Sequence, residues 1–125
     1  MFRALAKFLS RSFTVEGWSM LPTLPPGTRV RVSPLPYLWK SPRKGDIVLV
    51  KAFDDNRCDV KRVKHVPGEL LDSGTTLGEK EYFLVGDNWK FSYDSRSYGP
   101  VKAAAILGKV VDRQFPVIEN TAQSF

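Results

Sequence analysis

Nine prolines and nine glycines are scattered along the whole chain, and they argue against long helices. Proline removes a backbone donor and glycine loosens the backbone, so regular structure has to come in short pieces. Between these breaks lie runs of strand length. Residues 28–33 alternate Thr-Arg-Val-Arg-Val-Ser, a half-buried strand with its arginines outward. Gly45-Asp46 is a turn signal, and Ile47-Val48-Leu49-Val50 after it is a buried strand. Residues 59–66 read as another strand, stopped by Pro67-Gly68. Tyr82-Phe83-Leu84-Val85 runs into the turn Gly86-Asp87-Asn88, and residues 106–115 contain a last strand after Gly108. Residues 35–44 read as a surface loop, residues 73–80 as a hairpin connection and residues 120–125 as a frayed tail. The expected fold is mainly β: a small antiparallel barrel or folded sheet in one domain over residues 14–118, with a tail at 119–125.

One segment departs from this pattern. Over residues 2–13, Phe2, Leu5, Leu9 and Phe13 fall on one helical stripe beside Ala6, with Arg3, Lys7 and Arg11 opposite. The spacing predicts a short amphipathic basic helix over residues 1–13. Such a stripe suits a membrane surface or a partner, and equally suits packing on the domain itself.

With 125 residues, 42% of them hydrophobic, the chain fits one small domain with a packed core. A net charge of +6 favours anionic lipid, nucleic acid or an acidic partner, or simply gives a solvated basic surface. Cys58 is the single cysteine, so no internal disulfide forms, and no Cys/His spacing suits a metal. No metal or organic cofactor is expected. No apolar run is long enough for a membrane span, and the N-terminus lacks the apolar core and cleavage site of a secretory signal. The expected location is cytoplasmic, or peripheral on a membrane through residues 2–13.

Chemistry enters with Ser19 and Lys61. A serine hydroxyl needs a base to take its proton. The only histidine is His65, with no acid beside it to orient it. A lysine serves instead if burial keeps its amine neutral. Strand alternation puts Lys61 on the face of Val63 and opposite Val60, Arg62 and Lys64, so it points inward while the other cations point out. Gly17 permits a tight or left-handed bend before Ser19, and Pro22 holds Leu21 extended. On spacing alone, Lys61 also fits a surface lysine at a strand edge, and Ser19 a turn residue or helix cap.

Four blocks in order carry a more specific signal. They are Glu16-Gly17-Trp18-Ser19-Met20-Leu21-Pro22-Thr23-Leu24, Arg43-Lys44-Gly45-Asp46-Ile47-Val48-Leu49-Val50-Lys51, Val60-Lys61-Arg62-Val63 followed by Pro67-Gly68-Glu69, and Gly86-Asp87-Asn88 followed by residues 92–101. Together they resemble the nucleophile, Gly-Asp-strand, base-lysine and C-terminal boxes of the type I signal peptidase family. The resemblance implies a serine endopeptidase that removes an N-terminal leader, with Ser19 as nucleophile and Lys61 as general base. Ser92 would orient the amine, Asp94 would pair with Arg96, and Arg62 would pair with Asp87.

The resemblance also implies a substrate strand added along residues 13–18, with Val15, Trp18 and Met20 as candidate substrate-binding positions. The family pocket takes small residues one and three positions before the cut. Three departures stand out. Gly17 replaces a hydroxyl residue that helps hold the oxyanion in many bacterial members. The membrane-spanning anchor is missing, and so is the larger inserted β domain, since a short connection joins Pro67-Gly68 to Tyr82. This short form, with Ser-Tyr-Asp-Ser-Arg-Ser-Tyr-Gly-Pro-Val, looks most like the nickel-type superoxide dismutase maturation proteases. Two other readings compete. One is a non-catalytic basic module for acidic protein, lipid or nucleic acid, although no nucleic-acid motif is present. The other is a self-cleaving regulator, for which no DNA-binding domain fits before Phe13.

Overall fold

A computed structural model describes residue 5, residues 9–51 and residues 57–116. Seven strands form one antiparallel sheet. In chain order they are β1 (Arg11–Thr14), β2 (Arg29–Ser33), β3 (Ile47–Lys51), β4 (Cys58–His65), β5 (Glu81–Val85), β6 (Val101–Lys102) and β7 (Ile106–Gln114). Their spatial order is β1-β2-β7-β3-β4-β5-β6, so β1 and β6 are the edges of a curled half-barrel. Of the two expected forms, the folded sheet is the one observed. Two short α-helical turns interrupt the strands, α1 (Pro36–Trp39) and α2 (Ser95–Tyr98), with 3-10 turns at Trp89–Phe91 and Ala103–Ala105. None of the described helices is long and apolar enough to cross a membrane.

The curl lets both faces of the central strand be buried. Leu49 packs with Val15, Met20, Leu24, Val30 and Val32 on one face, while Val48 and Val50 pack with Val63, Tyr82 and Leu84 on the other. A strand covered on both sides has no polar alternation, which is why Ile47–Val50 reads as an unbroken apolar run. Strand β4 is covered more on one side. Lys61 and Val63 are buried while Arg62 is half-buried and Lys64 exposed, the alternation expected from the sequence. Val60 turns the other way and leans on the Leu49 cluster.

Several local expectations need correction. Arg11, Ser12 and Phe13, expected to end a helix, belong to β1, with Phe13 opposite Val30 and Arg11 opposite Val32. Phe13 packs on the Leu49 cluster, so pairing with the edge of β2 and burying that ring override the helical stripe. The rest of the helix expected over residues 1–13 lies outside the described residues, except Leu5, Leu9 and Ser10; the Leu9 N–H donates to the Leu5 carbonyl. The loop expected over residues 35–44 contains α1, opened by Pro36 at a position where its missing N–H costs nothing. Strand β7 starts before Gly108, not after it. At Gly108 the Ser33 carbonyl lies 2.8 Å from where a Cβ would stand, so the glycine lets two strands close up. The tail at 119–125 lies outside the described residues.

Leu84 is fully buried in the middle of β5. Leu84→Ala is expected to destabilise the fold by about 2–5 kcal/mol in urea titration. A loss below about 1 kcal/mol would show that this face is not the packed core.

Candidate functional site

Strand β4 carries Lys61 into the interior, where it is 3% exposed. Burial pushes its ammonium below the ordinary 10.5; the Asp59 and Asp94 carboxylates pull it back up, and Arg96 adds to the lowering. Desolvation is the largest of these effects, so the neutral amine is favoured relative to a lysine in water. The amine donates to Ser92 Oγ at 3.3 Å.

Ser92 is in turn committed elsewhere. Its hydroxyl donates to Asp94 Oδ2 at 2.6 Å. Asp94 is 0% exposed and also accepts from Gly86 N (2.8 Å), Arg96 N (3.1 Å), Arg96 Nε (2.9 Å) and Arg96 Nη2 (2.6 Å). Burial alone would raise this carboxyl, but the bonds from Arg96, Ser92 and Gly86 outweigh it and hold it at about 2. Asp94 therefore stays ionised at neutral pH and can only accept. Ser92, having given its proton to Asp94, can only accept from Lys61. An N–H of the neutral amine thus faces Ser92, and its lone pair faces another way. The same Asp94 caps the first turn of α2, which fixes Arg96 beside it.

Ser19 sits in the turn that follows Gly17, whose φ of 74° is the left-handed region that favours glycine. Met20 and Leu24 anchor the turn in the core. The far side of the turn is held by residues 86–88. Asn88 N donates to the Ser19 carbonyl at 2.8 Å, and Asn88 Nδ2 to the Trp18 carbonyl at 3.0 Å. Thr23 Oγ1 donates to Asp87 Oδ2 at 2.5 Å. Asp87 also takes a two-pronged bond from Arg62, Nε to Oδ1 and Nη2 to Oδ2, both 2.8 Å. The serine turn and the lysine strand are thereby tied to one loop. Gly86 lies between Ser92 and the serine turn: a Cβ there would overlap Ser92 Oγ and stand 2.5 Å from the Ser19 carbonyl oxygen.

Ser19 opens onto a cleft of about 790 Å³ between residues 12–17 and the start of β4 at residues 57–60. Val15 and Met20 line it and are also core residues. Trp18, expected to contact substrate, is exposed and is not among the residues that line the cleft. The pairs Asp94–Arg96 and Arg62–Asp87 are present. Among the described residues no three His, Cys, Asp or Glu side chains gather as metal ligands. Sequence reasoning missed Thr23, Asn88 and the close approach at Gly86. All three lie inside the quoted blocks, but a turn glycine and an Asn after Asp carry no signal that they contact a segment some 65 residues away.

Gly86→Ala is expected to leave a folded protein in which Ser92 and the Ser19 turn are forced apart, with turnover of a leader-bearing peptide reduced at least tenfold. Turnover equal to the parent's would show that this approach is not needed.

The family described as signal peptidase, peptidase S26, matches residues 1–73 and 69–115. Signal peptidase I V of Bacillus subtilis is 28% identical over 142 residues, covering 82% of this chain and 84% of that protein. Mitochondrial inner membrane protease subunit 2 of Saccharomyces cerevisiae is 31% identical over 117 residues, covering 82% and 66%. Mitochondrial ATP-independent inner membrane protease subunit 1b of Arabidopsis thaliana is 33% identical over 113 residues, covering 80% and 67%. With a match over nearly its whole length, this chain belongs to the signal peptidase (peptidase S26) family.

Proposed function

We propose that the protein is a serine endopeptidase in which Ser19 is the nucleophile and Lys61 its general base, and that it removes an N-terminal leader from a protein substrate. The observation that carries this reading is the buried Lys61 amine, favoured in its neutral form and bound to a Ser92 hydroxyl that can only accept. Its lone pair is then available to the hydroxyl proton of Ser19. Ser92, Asp94 and Arg96 do the orienting work that an aspartate does for histidine in other serine peptidases.

In the reaction, Lys61 takes the Ser19 proton as Oγ attacks the scissile carbonyl carbon. Lys61 then gives that proton to the leaving amine. Water attacks the acyl-enzyme by the same route, with Lys61 again as base, and Ser19 is regenerated. The leader lies in the cleft as an added strand against β1 and residues 15–17, since β1 is an edge of the sheet. Val15 and Met20 form part of its walls. The oxyanion is held by the Ser19 N–H, because Gly17 offers no hydroxyl. The narrower assignment, to a nickel-type superoxide dismutase leader, rests on the Ser92–Val101 string and the short connection between β4 and β5.

Ser19→Ala and Lys61→Met are each expected to abolish cleavage of a leader-bearing substrate. The Lys61→Met protein should melt no lower than the parent, because methionine fills the space without a buried amine. Activity is expected to rise with pH through a base titrating below 10.5, since only the neutral amine accepts a proton. Mass spectrometry of the new N-terminus identifies the substrate class. Turnover retained in either variant refutes the pair, and an uncut superoxide dismutase leader refutes the narrower assignment alone.

A further inference from the structure

Asn88 belongs to a turn, half-buried, with no part in the proton path from Ser19 to Lys61. Yet it holds both peptide groups that flank the nucleophile. Its side-chain amide donates to the Trp18 carbonyl at 3.0 Å, and its backbone N–H donates to the Ser19 carbonyl at 2.8 Å. The Trp18–Ser19 peptide is trans, so its carbonyl and its N–H point in opposite directions. With the Trp18 carbonyl turned to Asn88, the Ser19 N–H is turned away from Asn88, and Ser19 itself lines the cleft. We propose that Asn88 is a positioning residue that aims the Ser19 N–H at the oxyanion of the tetrahedral intermediate.

The inference rests on the Ser19 reading above and adds to it the origin of the oxyanion donor's direction. Two features of this chain make the direction matter. Gly17 supplies no side-chain donor, so the backbone N–H carries that charge without help from the residue two positions upstream. Among the described residues the Trp18 carbonyl otherwise has only the Leu21 N–H of the same turn, at 3.2 Å, which ties it within the turn. Asn88 is the link between this peptide and the loop that also carries Asp87 and Gly86. Loss of a working oxyanion donor costs about 100- to 1000-fold, and misaiming one forfeits part of that.

The test uses Asn88→Asp, which keeps shape and backbone and replaces the donor by an acceptor, and Asn88→Ala, which removes the donor without adding charge. Turnover of a leader peptide with small residues one and three positions before the cut is expected to fall about 10- to 100-fold in both, with KM within threefold. A second readout separates aiming from general damage. A leader peptide ending in an aldehyde is attacked by Ser19 Oγ; the carbonyl pair moves to oxygen, and the hydroxyl proton passes to Lys61. The same peptide ending in a carboxamide only occupies the cleft. Affinity for the aldehyde is expected to fall in parallel with turnover, while affinity for the carboxamide stays within threefold. Equal losses for both probes, or no loss for either, overturn the role of Asn88. If the parent's turnover survives Ser19→Ala, the nucleophile assignment fails and this inference falls with it. If turnover is serine-dependent and the Asn88 variants match the parent, only the Asn88 assignment fails.

Discussion

Five hydrogen bonds converge on one buried carboxylate, and the geometry of the site follows from them. Asp94 ties the end of β5 through Gly86 N–H, the 92–94 turn through the Ser92 hydroxyl, and α2 through Arg96. An ionised carboxylate with no exposure is tolerable only with this many donors. Because they are supplied, it stays negative and fixes the direction of every neighbouring hydrogen bond. The chain of direction runs Arg96 to Asp94, Ser92 to Asp94, and Lys61 to Ser92. A lysine that donates to Ser92 has its basic pair free for a different partner. A carboxylic acid or an amide at residue 94 could reverse one of these arrows, and the amine would lose its defined orientation.

The sheet contributes in a second way. Its curl buries both faces of β3 and, next to it, the inner face of β4, so Lys61 shares its environment with Val48 and Val63 and not with water. A charged ammonium there would carry a desolvation penalty of several kcal/mol, which a neutral amine largely avoids. The alternation that makes β4 a strand is thus the same feature that buries its lysine. The serine comes from a different layer, a turn pinned to the opposite apolar cluster by Met20 and Leu24. The residue 86–88 loop bridges the two, through Asp87 to Arg62 and Thr23, and through Asn88 to the carbonyls of residues 18 and 19.

Much of this could be read from the chain. The unbroken Ile47–Val50 run announced a strand buried on both faces, and the in-out order of residues 60–64 announced an inward Lys61. Those are local patterns, and local patterns survive folding. The roles proposed for Ser19 and Lys61 came from the resemblance of whole blocks, because a serine in a turn and a lysine on a strand are common. What escaped detection was contact between distant segments. Residues 11–13 have a helical stripe, yet their ring and their edge are better used against β2. Asn88, Thr23 and Gly86 matter through groups far away in sequence, and spacing says nothing about such approaches.

The most direct measurement is the titration of the Lys61 amine itself, by carbon NMR of lysine labelled at Cε, with the Lys61→Met protein assigning the resonance. A buried amine poised as a base is expected to titrate below 10.5. A Lys61 resonance that titrates at or above 10.5 would contradict a neutral base in this site.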